Sequence, residues 1–447
     1  MRWTDERIRE VLGCDGPPIP VEYRRIWTDT RSIQPGDLFV ALTGERFDGH
    51  TFLEGARELG ARGAVVRRGT APLPGLTLYP VEDPLVALGL LARARRGEIA
   101  GPVVAITGTN GKTSTKEMLA AALGTRYRTH ATRANLNNLI GVPLTMLEAP
   151  EECEALVVEA GANLPGEIGR YREIIEPSVT VITNVAPGHL EGFGSLDGVL
   201  AEKLALARGV PLVVVGADDR RLVDGARAVA GRVVTAGLAE GDVAPDDYLV
   251  EPDGRVRLTI EGHRFLLGLL GLHQARNAVL VWAVCRELGV PLDRVAAALE
   301  TVALPSGRGQ LIERGSLTIL NDCYNANPAS FRALIDLARS LRSDRPLVFV
   351  AGTMLELGAE TERFHREIAA ALVALDPDLL AGVGRFQEEL DRFRDRLGPR
   401  LLTAPDAPAM AKLLAPRLTG TELVVLKGSR GMALERIIPE LMAGTPA

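Results

Sequence analysis

Residues with phosphate and metal chemistry occur in four places along the 447-residue chain. Val103-Val104-Ala105-Ile106-Thr107 runs directly into Gly108-Thr109-Asn110-Gly111-Lys112-Thr113-Ser114. Glycines permit a tight turn whose N–H groups surround an anion, and a helix starting at Lys112 adds the positive end of its dipole. The Lys112 ammonium can reach β- and γ-phosphates, and the Thr113 hydroxyl suits magnesium. The full phosphate-loop pattern places a glycine five residues before Gly111, where Ile106 stands, so an ordinary strand-to-helix turn is the competing reading.

Glu159 closes an apolar run and His189 follows another, so both fall at the carboxyl ends of candidate parallel strands, on the side of the phosphate loop. Carboxylate, hydroxyl and phosphate oxygens with one imidazole make an acceptable magnesium set. A buried strand end for Glu159 and a loop residue without metal for His189 are the alternatives. Only five of the 51 basic residues are lysine, namely Lys112, Lys116, Lys203, Lys412 and Lys427, so each raises the question of why arginine would not serve. Over residues 196–207 the apolar positions are Leu196, Val199, Leu200, Leu204 and Ala207, and Lys203 falls on that inward stripe. Burial pushes an amine toward its neutral form, which reacts with carbon dioxide to give a carbamate, an acceptor suited to magnesium. Otherwise its stem packs while its head reaches solvent, Glu202 or Glu159.

The elements that must position these groups read as α/β. Short apolar runs at 37–42 and 63–66 alternate with Gly- and Pro-rich turns and one helical stretch at 50–59. A helix over 84–96 leads into a strand at 102–107 and a helix at 112–123, and the same rhythm returns at 155–160, 178–183 and 211–216. A strand-rich piece near 248–267 and a helix at 273–288 follow. After Pro305-Ser306-Gly307 a new strand series begins at 317–320, 347–351, 379–383 and 422–426. Three domains are expected: a small N-terminal α/β domain (1–82), a central mostly parallel phosphate-loop domain (83–304) and a C-terminal Rossmann-like domain (305–447).

Composition removes several classes. With 46% hydrophobic residues the chain is not disordered, and a net charge of −6 argues against broad nucleic-acid or anionic-membrane binding. The longest apolar run, 278–285, is far short of a membrane span, and the first ten residues are charged rather than signal-like, so a cytoplasmic protein is expected. Cys14, Cys153, Cys285 and Cys323 are scattered without zinc or disulfide spacing.

Taken together, Ile106 to Thr113 and Asn184-Val185-Ala186-Pro187-Gly188-His189-Leu190-Glu191-Gly192-Phe193-Gly194-Ser195 resemble the ATP loop and histidine motif of the ATP-dependent Mur peptide ligases of peptidoglycan synthesis, with folylpolyglutamate synthetase a more distant relative. The resemblance covers nearly the whole chain. Further matching stretches are Asp29-Thr30-Arg31, Pro35 to Leu42, Gly44-Glu45-Arg46-Phe47-Asp48-Gly49-His50, Asn135 to Pro143 and Asp322-Cys323-Tyr324-Asn325-Ala326-Asn327-Pro328. They point to the branch that adds D-alanyl-D-alanine to a UDP-N-acetylmuramoyl-tripeptide. The diaminopimelate-adding branch instead carries an arginine-containing D-N-P-R motif where this chain reads Asn325-Ala326-Asn327-Pro328. Gln274 stands where an asparagine is common, and Phe331 where methionine is usual.

The resemblance implies ATP as the energy source, two magnesium ions and carbamylated Lys203, with Thr113, Glu159 and His189 as the other metal ligands. It implies that Asp29, Thr30, Arg31, Phe47, Asp48, Gly49 and His50 hold the UDP end, and that Asn135 and Asn138 contact the muramoyl-peptide. Gly108, Thr109, Asn110, Gly111, Lys112, Thr113 and Ser114 would bind ATP, His273 and Asn277 would lie near adenine, Arg308 would reach the γ-phosphate, and Asp322 the ribose. Lys112, Lys203, His189 and Arg308 would carry catalysis. Asn325 and Asn327 would face the nucleotide or the incoming dipeptide, and Glu356-Leu357-Gly358 and Lys427-Gly428-Ser429 resemble third-domain motifs near the same ligands. Read alone, Asp29 and Arg308 are also turn residues, Asn135, Asn138 and Asp322 caps, and Asn277 a solvent-facing helix residue. A monomer without nucleic-acid or membrane partners is expected. A ligase for diaminopimelate, lysine or glutamate, a nucleotide-driven motor and a non-catalytic nucleotide-binding regulator are the competing functions.

Overall fold

The computed structural model describes residues 3–44 and 47–443; Glu45 and Arg46 of the Gly44–His50 stretch lie outside the described residues. Three larger open sheets follow one another along the chain, beside a two-stranded ribbon of Trp3–Thr4 and Glu22–Tyr23 and a three-stranded meander. The first has four parallel strands in the order Ile26–Trp27, Leu38–Val40, Gly63–Arg67 and Thr77–Val81. Where a single helix is expected over 50–59, a short turn at Gly49–Phe52 precedes the helix Leu53–Glu58, because Asp48 accepts from the His50 backbone N–H and caps the turn. Gly49 is obligatory there: a Cβ would lie 2.6 Å from the Leu42 carbonyl oxygen.

The second sheet has six parallel strands, ordered Arg232–Ala236, Leu212–Gly216, Val179–Ile182, Val103–Thr107, Ala155–Glu159 and Thr129–Ala131. Val103–Thr107 and Ala155–Glu159 are buried throughout, as strands covered on both faces must be. The chain departs in opposite directions on the two sides of Val103–Thr107, which makes the crevice beyond its carboxyl end a topological switch point where open sheets bind ligands. Helix Lys112–Gly124 leaves from that end, burying Met118 and Leu119 in the same core as Val104 and Ile106. An antiparallel meander, Asp247–Val250, Arg255–Ile260 and His263–Leu270, joins that core together with the helix Leu272–Glu287, whose apolar run over 278–285 is buried.

The third sheet runs Gln310–Arg314, Leu317–Asp322, Leu423–Lys427, Leu347–Gly352, Leu379–Val383 and Leu401–Ala404, parallel except for the antiparallel first pair. Helix Pro328–Leu341 starts cleanly because Asn327 accepts from the Ser330 N–H, Ser330 returns the bond, and Pro328 occupies a first-turn position where no N–H is needed. Its apolar face, with Phe331, Leu334 and Ala338, is buried in the core of this sheet. Among the described residues no helix is long and apolar enough to cross a membrane.

Candidate active site

A cleft of about 920 Å³ lies between the second and third sheets. The phosphate loop forms its floor. Gly108 and Gly111 both have positive φ, and a Cβ on Gly108 would collide with the Thr183 hydroxyl, whereas one on Gly111 would lie 2.6 Å from Asn277 Oδ1. The loop is tied from outside: Thr109 N donates to the Asn184 carbonyl, Asn110 N donates to Asn184 Oδ1, and Thr183 Oγ1 donates to the Asn110 carbonyl at 2.6 Å. Lys112 Nζ folds over its own loop and donates to the Gly108 and Thr109 carbonyls at 2.8 and 3.2 Å. Burial lowers the pKa of that amine, opposed by the Glu159 charge. Ser114 lines the cleft next to Thr113.

Behind the loop, Thr113 Oγ1 donates to Glu159 Oε2 at 2.8 Å and Asn137 Nδ2 donates to Oε1 at 2.9 Å. Glu159 is 2% exposed and makes no ion pair among the described residues. A buried carboxylate satisfied only by a hydroxyl and an amide is a donor set that a divalent cation fits. Among the described residues no group of three or more His, Cys, Asp and Glu side chains comes together as a metal cage.

Lys203, on helix Leu196–Ala205, is 1% exposed. Neither carboxylate that could have paired with it is available. Glu202 accepts from the Gly166 and Ile168 backbone N–H groups, both at 2.8 Å, at the start of helix Glu167–Ile175, and Glu159 is engaged as above. The Phe193 ring lies near Nζ, its centroid 5.5 Å away. Burial, reinforced by the neighbouring Lys112 charge, lowers the Lys203 amine to about 7. His189 takes a left-handed backbone conformation at the head of the turn Leu190–Phe193, and its Nδ1 lies 2.6 Å from Glu356 Oε2 of the third sheet's loops. That approach is short but off the hydrogen-bonding direction, so it is a polar contact rather than an aligned bond. The imidazole holds the Glu356 carboxyl below the usual carboxylate range.

From the other side, the Arg308 guanidinium stacks 3.8 Å above the Tyr324 ring, and Gly309 N donates to Asp322 Oδ1. Asp322 and Lys427 are register partners on adjacent strands; Lys427 Nζ donates to Asp322 Oδ2 at 2.5 Å and to the Asn325 carbonyl at 3.1 Å. Asn277 is buried and donates to Gln274 Oε1, facing the phosphate loop rather than solvent. His273 lines the cleft beside them, its pKa lowered to about 4 by burial, against the Asp322 charge.

The cleft thus brings together the phosphate loop from Thr109 onward, Glu159, His189, His273, Asn277, Arg308, Asp322, Asn325, Asn135 and Asn138. Asn138 also caps helix Gly141–Leu147 through the Ile140 and Gly141 N–H groups. Lys203 and Asn327 do not line it. Asp29, Thr30, Arg31, Phe47, Asp48, Gly49 and His50 sit apart from it on the first sheet. There Asp29 holds the exposed Arg31, and His50 accepts from Arg67 N on Nε2, which leaves Nδ1 to donate to Asp48. Asn137, Thr183, Asn184 and Tyr324, for which sequence reading assigned no role, share the cleft. Only their local motif offered a signal.

Family models match the chain almost end to end: the Mur ligase family catalytic domain over residues 22–96, the Mur ligase middle domain over 106–285, and the Mur ligase glutamate ligase domain over 307–430. A Bacillus subtilis protein named UDP-N-acetylmuramoyl-tripeptide--D-alanyl-D-alanine ligase is 35% identical over 431 residues, covering 93% of this chain and 92% of its own. The chain belongs to the Mur ligase family. As a Mur ligase it is an enzyme that forms a bond at the expense of ATP. A crystal structure of MurF from Acinetobacter baumannii superposes with a TM-score of 0.90 at 29% identity, covering 99% of both chains. The MurF ligase of Thermotoga maritima, solved in complex with ADP, gives 0.83 at 28% identity, covering 94% of this Mur ligase and 97% of that chain.

Proposed function

We propose that this Mur ligase joins D-alanyl-D-alanine to UDP-N-acetylmuramoyl-tripeptide in the cytoplasm, with ATP converted to ADP and phosphate. The observation that carries the reading is the single cleft in which the phosphate loop of one sheet faces Arg308 and Asp322 of the next. Full-length relatives bearing that enzyme name support the choice of substrates.

A carboxylate does not condense with an amine at neutral pH because its oxygen is a poor leaving group. In the proposed route the tripeptide carboxylate attacks the γ-phosphorus of ATP, forming an acyl phosphate and releasing ADP. The dipeptide amine then attacks the acyl carbon, loses a proton, and phosphate leaves as the amide forms. Lys112 and Arg308 offset charge on the transferring phosphoryl group, and closure of the third sheet over the second excludes water that would hydrolyse the acyl phosphate. Thr113, Glu159 and His189 would hold magnesium, which supplies further charge neutralisation at the phosphates.

Lys203 completes this set as a carbamate: its neutral amine adds carbon dioxide and loses a proton, so a cation becomes a carboxylate-like ligand. Its lack of any hydrogen bond or ion pair among the described residues supports the assignment, since an unpartnered buried ammonium is costly. Residues 1–82 take the UDP end through Asp29 to Arg31 and Phe47 to His50, residues 83–304 the nucleotide, and residues 305–447 the incoming amine together with the nucleotide. Asn135 and Asn138 contact the peptide, and Asn325 the dipeptide or nucleotide. The protein acts as a monomer.

Offering the purified enzyme UDP-N-acetylmuramoyl-tripeptide, ATP and a panel of amines tests this reading. The expected product mass is that of the pentapeptide, formed with D-alanyl-D-alanine. Product with diaminopimelate, lysine or glutamate instead, or ATP hydrolysis indifferent to both acceptor and amine, would contradict it.

A further inference from the structure

The phosphate loop touches the third sheet's unit through a pair of amides. Asn327 Nδ2 donates to Asn110 Oδ1 at 2.6 Å, and Asn110 Nδ2 donates to Asn327 Oδ1 at 3.3 Å. Both partners are held rigidly from behind. Asn110 is bound by Asn184 and Thr183 at its backbone N–H and carbonyl. Asn327 is 5% exposed, caps helix Pro328–Leu341 through the same Oδ1, and exchanges two further bonds with Ser330. Gly188 lies at the junction, where a Cβ would come within 2.8 Å of Thr109 Cγ2 and 3.7 Å of Asn327 Nδ2.

Asn327 does not line the cleft, whereas the helix that it caps does, through Ala329, Ser330, Ala333, Leu334 and Leu337. One Asn327 Nδ2 hydrogen goes to the phosphate loop and Oδ1 is shared between that loop and its own helix, so the amide is oriented toward Asn110 rather than into the cleft. We infer that Asn327 is a positioning residue: its amide pair with Asn110 sets the helix wall Pro328–Leu341 on the phosphate loop, so that ordering the loop around a nucleotide and closing the wall over it are one coupled event. Asn110 is the natural point for this link. It stands in the phosphate loop, and its side-chain amide is engaged by the neighbouring unit. If the closed arrangement binds nucleotide more tightly than the open one, weakening the pair lowers the closed population and raises the apparent dissociation constant in proportion.

The inference rests on the ATP-dependent reading for the identity of the ligand in the loop, and a double-mutant cycle on the full-length enzyme tests it. Asn327→Ser keeps an oxygen for the helix cap but is too short to reach Asn110, and Asn110→Ala removes the other partner without touching the cap. The KM for ATP, kcat and thermal midpoint are measured for the wild type, both single variants and the double. Each single variant is expected to raise the KM for ATP about fivefold, and the double variant by about the same factor, since the second change has nothing left to remove. Thermal midpoints should stay near wild type. Effects that multiply to about 25-fold in the double variant, or a KM that does not move while the midpoint falls, would overturn the inference. If Asn327→Ser fails to fold, Asn327→Thr, a second capping residue too short to reach Asn110 and without charge, replaces it in the cycle with the same expectations. Wild-type ATP saturation is recorded first: its absence would remove the nucleotide reading and this inference together, whereas normal saturation with independent single effects removes this inference alone.

Discussion

The Thr113 hydroxyl donates to Glu159 Oε2 at 2.8 Å, joining the first turn of the phosphate-loop helix to the end of the neighbouring parallel strand. This bond places a buried carboxylate directly behind the loop that would take the triphosphate. It also explains why the carboxylate sits at a strand end, since the registers of Ala155–Glu159 and Val103–Thr107 bring Glu159 opposite Ile106, just before the loop begins.

Lys112 is the one cation that spans the loop from within, held by the Gly108 and Thr109 carbonyls. Lys112→Ala should lower kcat about a thousandfold, because a charge aimed at the transferring phosphoryl group is removed. Binding of the UDP-linked substrate, measured by calorimetry, should be nearly unchanged, as the candidate residues for its UDP end lie on the first sheet outside this cleft and Asn135 and Asn138 are untouched.

Lys203→Ala should lose most activity and still fold, since the truncated side chain leaves a small cavity among apolar neighbours. Short carboxylates such as formate or acetate should restore part of the rate by occupying that space. Wild-type turnover in Lys203→Ala, or no rescue at any carboxylate concentration, would count against the carbamate.

The same side chain makes a prediction about stability and pH. An ordinary lysine titrates at 10.5, whereas this one is lowered to about 7 by burial. Between those values the unfolded chain binds a proton that the folded chain does not. The folded state is therefore penalised increasingly as pH falls from 10.5 toward 7, and fully below 7. In CO2-free buffer, Lys203→Met should stabilise the protein more at pH 6 than at pH 9, by about 3 kcal/mol at roughly 1.36 kcal/mol per pKa unit. Denaturant midpoints at the two pH values measure the difference; equal gains would contradict it.

Much of this arrangement was readable in the sequence because its strands are short runs of Val, Ile and Ala. Val103–Thr107, Ala155–Glu159 and Leu347–Gly352 are buried along their whole length, and the groups at their carboxyl ends follow from that. Lys203 was legible for the same reason: helical periodicity alone puts it on the apolar stripe. Thr129–Ala131 and Leu401–Ala404 were not, because three or four mixed residues carry no periodicity, and only their position beside an inner strand makes them strands. The links between units were also hidden. Asn110 and Asn327 are 217 positions apart, and Asp322 and Lys427 are 105 apart, so no local pattern connects them before the chain is folded. His189 and Glu356 both adopt left-handed backbone conformations that their residue types do not announce.

Lys427 ties Asp322 to the Asn325 carbonyl while itself 1% exposed. Lys427→Met should therefore destabilise the protein by about 2 kcal/mol, below the full cost of breaking a buried pair because Asp322 is partly open to solvent. It should also raise the KM for ATP severalfold by freeing the segment around Asp322. Chemical denaturation and steady-state kinetics on one preparation separate the two effects.

The central claim is that this cleft activates a carboxylate by phosphorylation before an amine captures it. The most direct measurement uses UDP-N-acetylmuramoyl-tripeptide labelled with 18O in its terminal carboxylate, with ATP and D-alanyl-D-alanine, and follows the label by mass spectrometry of the released phosphate. The account predicts one 18O per phosphate, carried across in the acyl phosphate. Product formed at the normal rate with unlabelled phosphate would contradict it.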